Sequence, residues 1–168
     1  MLTTTYLTVD ELKDYTPISA NVDVTLLENW INVAEEMHIN QSVLGTALNT
    51  ALKTELEATG TLSGNNYTLL EYIQNASAWL TYYESIGFLR VKTANKGLTM
   101  QSSQNSDTVG TDDYKIFKQE IWDKCQYYRN RLIDYLNNNH LLFPLYRSDI
   151  NNCDNYSGKD SSSGVYCG

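Results

Sequence analysis

The residues best suited to chemistry are Glu35 and His38, which are three positions apart in a helical pattern. A Glu-x-x-His spacing places both side chains on one helix face and forms half of the ligand set of di-iron helical bundles. Such a centre needs a second copy of the motif and two more inward-facing glutamates. The other histidine, His140, has Asn137 three positions before it. The second copy is therefore absent, and we interpret the pair as an acidic, solvent-facing helix turn without a metal.

No other group of residues assembles a nucleophile, a base and an orienting side chain. The chain has no glycine-rich phosphate loop, no G-x-S-x-G, no H-E-x-x-H and no C-x-x-C. Acids such as Asp112 and Asp113 are expected at a helix start, where the helix dipole favours them. The spacing of Cys125, Cys153 and Cys167 fits neither a zinc site nor a disulfide framework. We therefore predict no enzymatic activity and no cofactor.

The net charge of −8 is unevenly distributed along the chain. Residues 1–89 contain eleven acids and two bases, whereas residues 90–110 contain three bases and one acid. An acidic body repels nucleic acid, because binding requires the neutralisation of phosphates. No apolar run approaches the ~18 residues of a membrane span, and the N-terminus has no export signal. We expect a protein that neither crosses a membrane nor binds nucleic acid tightly.

Hydrophobic periodicity and capping signals predict an all-α fold, a small bundle of about five helices. Thr8, Thr25 and Thr68 each precede a glutamate by three positions, which is the capping-box pattern of a helix start. The predicted helices are 9–15, 24–39, 42–58, 68–91 and 112–138. The apolar stripe of the second helix is predicted to comprise Val24, Leu27, Ile31, Ala34 and Met37. The crossing of the two longest helices is predicted to bury Trp79, Leu80, Tyr83, Phe117, Ile121 and Leu132.

Two segments fall outside the predicted helices. The polar loop 92–110 separates the two longest helices, and a turn at Gly97 with partial alternation afterwards favours an extended loop or a β-hairpin that pairs on assembly. Its candidate contact residues are Lys92, Lys96, Gly97, Leu98 and Met100. Residues 1–140 form the predicted helical domain, and residues 141–168 form an irregular C-terminal arm. The candidate contact residues of the arm are Leu142, Phe143, Leu145, Tyr146, Val165 and Tyr166.

The order of these segments resembles the head–tail connector proteins of tailed bacteriophages. The resemblance lies in "LTVDELKDY", "VTLLENWINVAEEMHI", "LLEYIQNASAWLTYYESIGFLRVK", the loop "TANKGLTMQSSQ" and the final helix ending "YYRNRLIDYLNNN". The closing "FPLY" and "GVYCG" are most similar to connector ring proteins of crAss-like phages. Family connectors often end soon after the last helix, so the arm from Leu141 is a departure from the pattern.

The resemblance implies a structural virion protein that is assembled in the host cytoplasm. Members of that family usually form a twelve-subunit ring beneath the portal protein. Genomic DNA passes through the ring without sequence-specific binding, and the next ring or tail protein docks on it. The alternative is a monomeric helical interaction module, such as an assembly chaperone or a regulatory adaptor, which would stay a single 19.1 kDa particle.

Overall fold

The computed structural model of the protein describes residues 4–89, 91–94, 97–100 and 111–146. Most of these residues are helical, which confirms the predicted all-α bundle. The α-helices are α1 (Val9–Tyr15), α2 (Val24–Glu35), α3 (Thr46–Thr59), α4 (Gly64–Leu89) and α5 (Thr111–Asn138). A π-helix, Glu36–Leu44, connects α2 to α3, and a short 3₁₀ turn, Pro144–Tyr146, follows α5.

Between α4 and α5 the backbone forms two short strands, β1 (Val91–Ala94) and β2 (Gly97–Met100). They pair antiparallel, with Val91 opposite Met100. A two-stranded ribbon has little stability by itself, so the fold class depends on the helices. Residues 95–96 and 101–110 of the predicted loop lie outside the described part of the chain.

The helix starts depend on local caps, of which the sequence identified one correctly. At α1 the predicted capping box is present: the Thr8 N–H donates to the Glu11 carboxylate at 2.8 Å, and the Thr8 hydroxyl accepts from the Glu11 N–H. The prediction for α2 is wrong. Asp23 rather than Thr25 is the cap, and its carboxylate accepts the N–H of Leu26 at 3.0 Å, because aspartate is as good a cap as threonine.

The predicted cap of the fourth helix is also wrong, since α4 begins at Gly64 and contains Thr68 in its second turn. A side chain from α3 explains the earlier start. The Glu55 carboxylate accepts the N–H of Ser63 at 2.9 Å and the amide of Asn66 at 2.6 Å. A carboxylate of α3 thus satisfies the backbone donor directly before α4 and a side-chain amide in its first turn.

The second predicted helix changes character instead of ending near residue 39. At Glu36 the backbone adopts π geometry and keeps it to Leu44. Gly45 then ends this segment at a φ of 75°, a left-handed value that glycine adopts readily. The third helix therefore starts at Thr46, four residues after the predicted start at Ser42.

The central element is α4, which packs mainly against α5 and α2 and also contacts α1. It is buried on most sides, as expected for a helix that is apolar around much of its circumference. Its fully buried apolar side chains include Leu69, Ile73, Ala76, Ala78 and Leu80. Among the described helices, none is long and apolar enough to span a bilayer.

The predicted crossing of α4 and α5 is partly correct. Leu80, Ile121 and Leu132 are buried, and Trp79 and Tyr83 are half-buried against the same core. Phe117 is not part of the core, because 42% of its surface is exposed. Phe117 lies four positions before Ile121 on α5, so the two residues share a helical spacing. Its side chain nevertheless lies at the edge of the face that α5 buries against α4.

Candidate assembly interface

Glu35 and His38 do not share a site. Glu35 is buried inside the bundle, so the predicted solvent-facing turn is wrong for this residue. His38 instead contacts Glu84 of α4, with 2.9 Å between Nε2 and Oε1. Across the four described ranges, no three His, Cys, Asp or Glu side chains lie close enough together to hold a metal ion.

The carboxylate of Glu35 fastens the N-terminal segment to the bundle. Its Oε1 accepts the N–H groups of Tyr6 at 2.9 Å and Leu7 at 3.2 Å, and its Oε2 lies 3.8 Å from Lys53 Nζ. Burial raises the pKa of Glu35 to about 7, although Lys53 and the two N–H donors act to lower it. The Tyr6 hydroxyl donates to Asn49 at 2.7 Å. Because this network is enclosed, we interpret it as structural.

Cys125 and Asp113 are no better placed for chemistry than Glu35 and His38. Cys125 is buried, and its thiol donates to the Trp79 carbonyl at 3.1 Å. Burial raises the pKa of Cys125 to about 12, which keeps it a thiol instead of the reactive thiolate. Asp113 is exposed near the start of α5. The side chains of Cys153 and Cys167 lie outside the described residues.

The outer face of α2 carries an apolar surface, which we call the α2 stripe. Its members are Leu26, Trp30, Val33 and Met37 from α2 and the following turn, together with Phe88 near the end of α4. The Trp30 and Phe88 rings are 4.5 Å apart between centroids. Met37 is 59% exposed and Phe88 is 57% exposed. An exposed apolar helix face of this kind is a candidate contact site for another molecule.

The part of the α2 stripe that belongs to α2 lies among acidic residues, whereas Phe88 is followed by the basic segment 90–110. Asp23 stands before it as the cap of α2, and exposed Glu36 directly precedes Met37. Residues 14–52 include five acids and no lysine or arginine. A partner for this face would therefore combine apolar groups with positive charge.

A second surface of mixed character runs along the groove between α4 and α5, and we call it the aromatic strip. Its members are Tyr72 and Trp79 of α4 with Lys124, Tyr128, Arg131 and Tyr135 of α5. The Tyr72 and Tyr135 rings stack at 4.3 Å between centroids. The Trp79 and Tyr128 rings are nearly parallel at 6.2 Å.

Each cation of the aromatic strip lies over a ring. Lys124 Nζ is 4.6 Å from the Trp79 ring centre, and the Arg131 guanidinium carbon is 5.7 Å from that of Tyr72. Neither cation forms an ion pair with a carboxylate in the described chain. Tyrosine, tryptophan and arginine are the residues most enriched at energetic centres of protein interfaces.

A shallow groove of about 180 Å³ opens within the aromatic strip. It is lined by Thr68, Glu71, Tyr72, Asn75, Tyr128 and Arg131. The lining includes an unpaired guanidinium, a carboxylate and two aromatic faces. The groove is small and polar, which suits single side chains of a docking protein better than an enclosed small molecule.

The predicted loop residues occupy the ribbon between α4 and α5. Lys92 lies in β1, and Gly97, Leu98 and Met100 lie in β2, where the backbone alone is described. Lys96 lies outside the described residues. The ribbon starts three residues after Phe88, so it leaves the bundle next to the α2 stripe.

The predicted arm contacts divide into two groups. Phe143 is buried, with its ring centroid 5.9 Å from that of Tyr135, and Tyr146 packs partly against the core. Leu142 and Leu145 are exposed. Val165 and Tyr166 lie outside the described residues.

Sequence reasoning missed the α2 stripe because α2 carries two apolar faces. We predicted Val24 and Met37 to be buried with Leu27, but both are largely exposed. Positions 26, 30, 33 and 37 have the same three-to-four spacing as the buried residues. This second periodic set was the signal in the sequence that could have identified the α2 stripe.

A family comparison adds one relationship. Residues 41–156 match the model described as "Family of unknown function (DUF6712)", which covers more than half of the chain. The chain belongs to the DUF6712 family. The DUF6712 match contains α4 and α5, and therefore the whole aromatic strip, whereas most of the α2 stripe precedes it. No curated protein and no solved structure matches the chain.

Proposed function

We propose that this DUF6712 protein is a structural subunit of a phage head–tail connector. Copies of the chain form a ring, of twelve subunits by analogy with other connectors, that joins the portal protein to the next ring or tail protein. Genomic DNA passes through the ring without sequence-specific contacts. The resemblance of the segment order to connector proteins gives the proposal its context.

The observation that carries the proposal is the α2 stripe. Four of its side chains, those of Leu26, Val33, Met37 and Phe88, are exposed, and exposed apolar surface is unfavourable by roughly 25 cal/mol per Å². A ring subunit covers such a surface in the assembled state. Helical caps, a buried core and the Glu35 network meanwhile join the helices within one chain.

The ribbon β1–β2 and the rest of the loop 92–110 serve as the assembly loop in this proposal. The segment leaves α4 beside the α2 stripe and is basic, whereas residues 1–89 are acidic. A ribbon that is marginal alone becomes ordered when its strands pair with or pack on a neighbour. The arm has an analogous role: Phe143 anchors it to the bundle, and Val165 and Tyr166 dock on another protein.

The test is assembly with the portal protein of the same virus. We expect the intact chain to form rings on purified portal particles, visible by electron microscopy. A variant lacking residues 93–106 should keep the helical circular dichroism spectrum of the intact chain but form no rings. Failure of the intact chain to bind portal particles would refute the connector function. Normal rings from the deletion variant would refute the role of the loop alone.

A monomeric interaction module is the second candidate, because the α2 stripe would also fit a client protein. Native mass spectrometry separates the two functions. A chaperone or adaptor stays at one copy per client, whereas a connector subunit appears in multiple copies on the portal.

A further inference from the structure

We propose that the α2 stripe of one copy of this chain binds the aromatic strip of the next copy, head to tail. The inference rests on the proposed ring-forming function and identifies the two faces that meet. It assigns a second copy of the chain as the partner of both surfaces.

The two faces lie on different elements of the same subunit. The α2 stripe belongs to α2 and the end of α4, whereas the aromatic strip belongs to the α4–α5 groove. α4 packs against α2 and against α5, which places these two helices around a common centre. A contact between two different faces leaves one of each free at the ends of every pair. Such a heterologous contact produces a closed ring when the rotation between copies allows it.

Charge is the first complementarity between the faces. The α2 stripe has Asp23 at one end and Glu36 at the other, within a stretch from 14 to 52 that contains no lysine or arginine. The aromatic strip carries Lys124 and Arg131, which contact rings and are free of carboxylate partners among the described residues. Docking brings carboxylates to unpaired cations, whereas contact between two α2 stripes would bring carboxylates together. Like charges across an interface oppose association.

Shape and polarity provide the second complementarity. The α2 stripe presents apolar side chains, with Met37 the most exposed. The aromatic strip presents half-buried aromatic rings and a groove of about 180 Å³ that can accept a protruding side chain. Methionine sulfur makes favourable contacts with aromatic rings. Met37 and Leu26 are about 16 Å apart along the helix, from a rise of about 1.5 Å per residue, so the stripe can follow several turns of α5.

The experiment uses one variant for each face and the full-length chain. Met37→Asp places a charge in the α2 stripe, and the double variant Lys124→Glu with Arg131→Glu reverses the aromatic strip. Leu141→Asp is the matched control for the first, since Leu141 is 84% exposed and belongs to neither face. Lys115→Glu with Lys118→Glu is the control for the second, because it makes the same charge change elsewhere on α5. Thermal unfolding establishes that each variant is folded.

Sedimentation velocity at protein concentrations up to about 1 mM, where weak contacts are still populated, gives the result. We expect the intact chain and both controls to form dimers and larger species as concentration rises. Each face variant alone should associate at least about tenfold more weakly. An equimolar mixture of the two face variants should form one-to-one pairs and nothing larger, because only one intact contact exists between them.

Other occupants of the α2 stripe give different results, each of which overturns the inference. If two stripes bind each other, the Lys124→Glu, Arg131→Glu variant associates as strongly as the intact chain. If residues 90–110 of the same chain cover the stripe, every form stays monomeric and Met37→Asp lowers the melting temperature. The inference is also overturned if the equimolar mixture of the two face variants forms no one-to-one pairs.

The failure of this inference is separate from failure of the connector function. Portal particles are absent from the sedimentation experiment. Head-to-tail pairs from a chain that does not bind portal particles would leave the inference standing and refute the connector function. Normal rings on portal particles from both face variants would refute the inference and leave the connector function standing.

Discussion

The pH dependence of stability should depend on Glu35. The pKa of Glu35 is about 7 in the folded protein, against an ordinary value of 4.5, chiefly because burial disfavours the carboxylate. The folded state therefore holds a proton that the unfolded chain releases near pH 4.5. Between these values the folded state binds more protons, so the free energy of unfolding falls as pH rises. The rise in pKa corresponds to about 3 kcal/mol, since each pKa unit is worth about 1.4 kcal/mol.

The variant Glu35→Gln removes this titration. Glutamine is neutral at every pH, and its carbonyl can still accept the N–H groups of Tyr6 and Leu7. We expect the stability of the intact protein, relative to the variant, to decrease by about 3 kcal/mol from pH 4.5 to pH 7.5. The measurement is urea unfolding, followed by circular dichroism, at half-unit steps of pH.

Glu36→Gln is the control, because it makes the same change at an exposed neighbouring carboxylate. Its free energy of unfolding should follow the pH dependence of the intact protein. A constant difference between the intact protein and Glu35→Gln across this range would show that folding leaves the pKa of Glu35 unchanged, and the interpretation of its burial would be incorrect.

Three further predictions concern stability and assembly. Leu80→Ala should reduce the free energy of unfolding by about 2–5 kcal/mol, and Phe117→Ala should reduce it far less; equal losses in urea titrations would contradict the assigned core. Thr8→Ala should cost about 1 kcal/mol through loss of the α1 cap, and an unchanged melting temperature would show that the cap contributes little. Phe143→Ala should destabilise the bundle, and Leu142→Ala should not. Truncation after Asp149 should leave a stably folded chain that no longer completes the proposed connector. Normal connectors from the truncated chain would show that the distal arm is dispensable.

The sequence predicted most helices because their signals are local. α1 has its capping box within four residues, α3 ends at Gly60 with a φ of 73°, and α5 ends at Asn138 as expected. These features depend on hydrogen bonds between near neighbours or on the freedom of one glycine. They are therefore readable without knowledge of the fold.

The failures have tertiary causes. Glu55 caps the start of α4 from a different helix, eight residues before Ser63. Glu35 is buried because it meets backbone donors of Tyr6, 29 residues earlier in the chain. The α2 stripe has the period of a core stripe but no covering element among the described residues. Periodicity identifies an apolar face, and only the arrangement of helices determines which apolar face is buried inside the subunit.

The position of α4 in the chain also affects how the protein is made. α1, α2 and the π-helix all contact α4, yet α4 ends at Leu89 and is synthesised after them. At roughly 5–20 residues per second of translation, the nascent chain spends several seconds with the inner faces of α1 and α2 uncovered. Ribosomes that follow one another on the same message would then hold incomplete chains side by side, each exposing both apolar faces of α2. Release of α4 from the ribosome is thus the step at which the inner face of α2 can be covered, while the α2 stripe stays exposed.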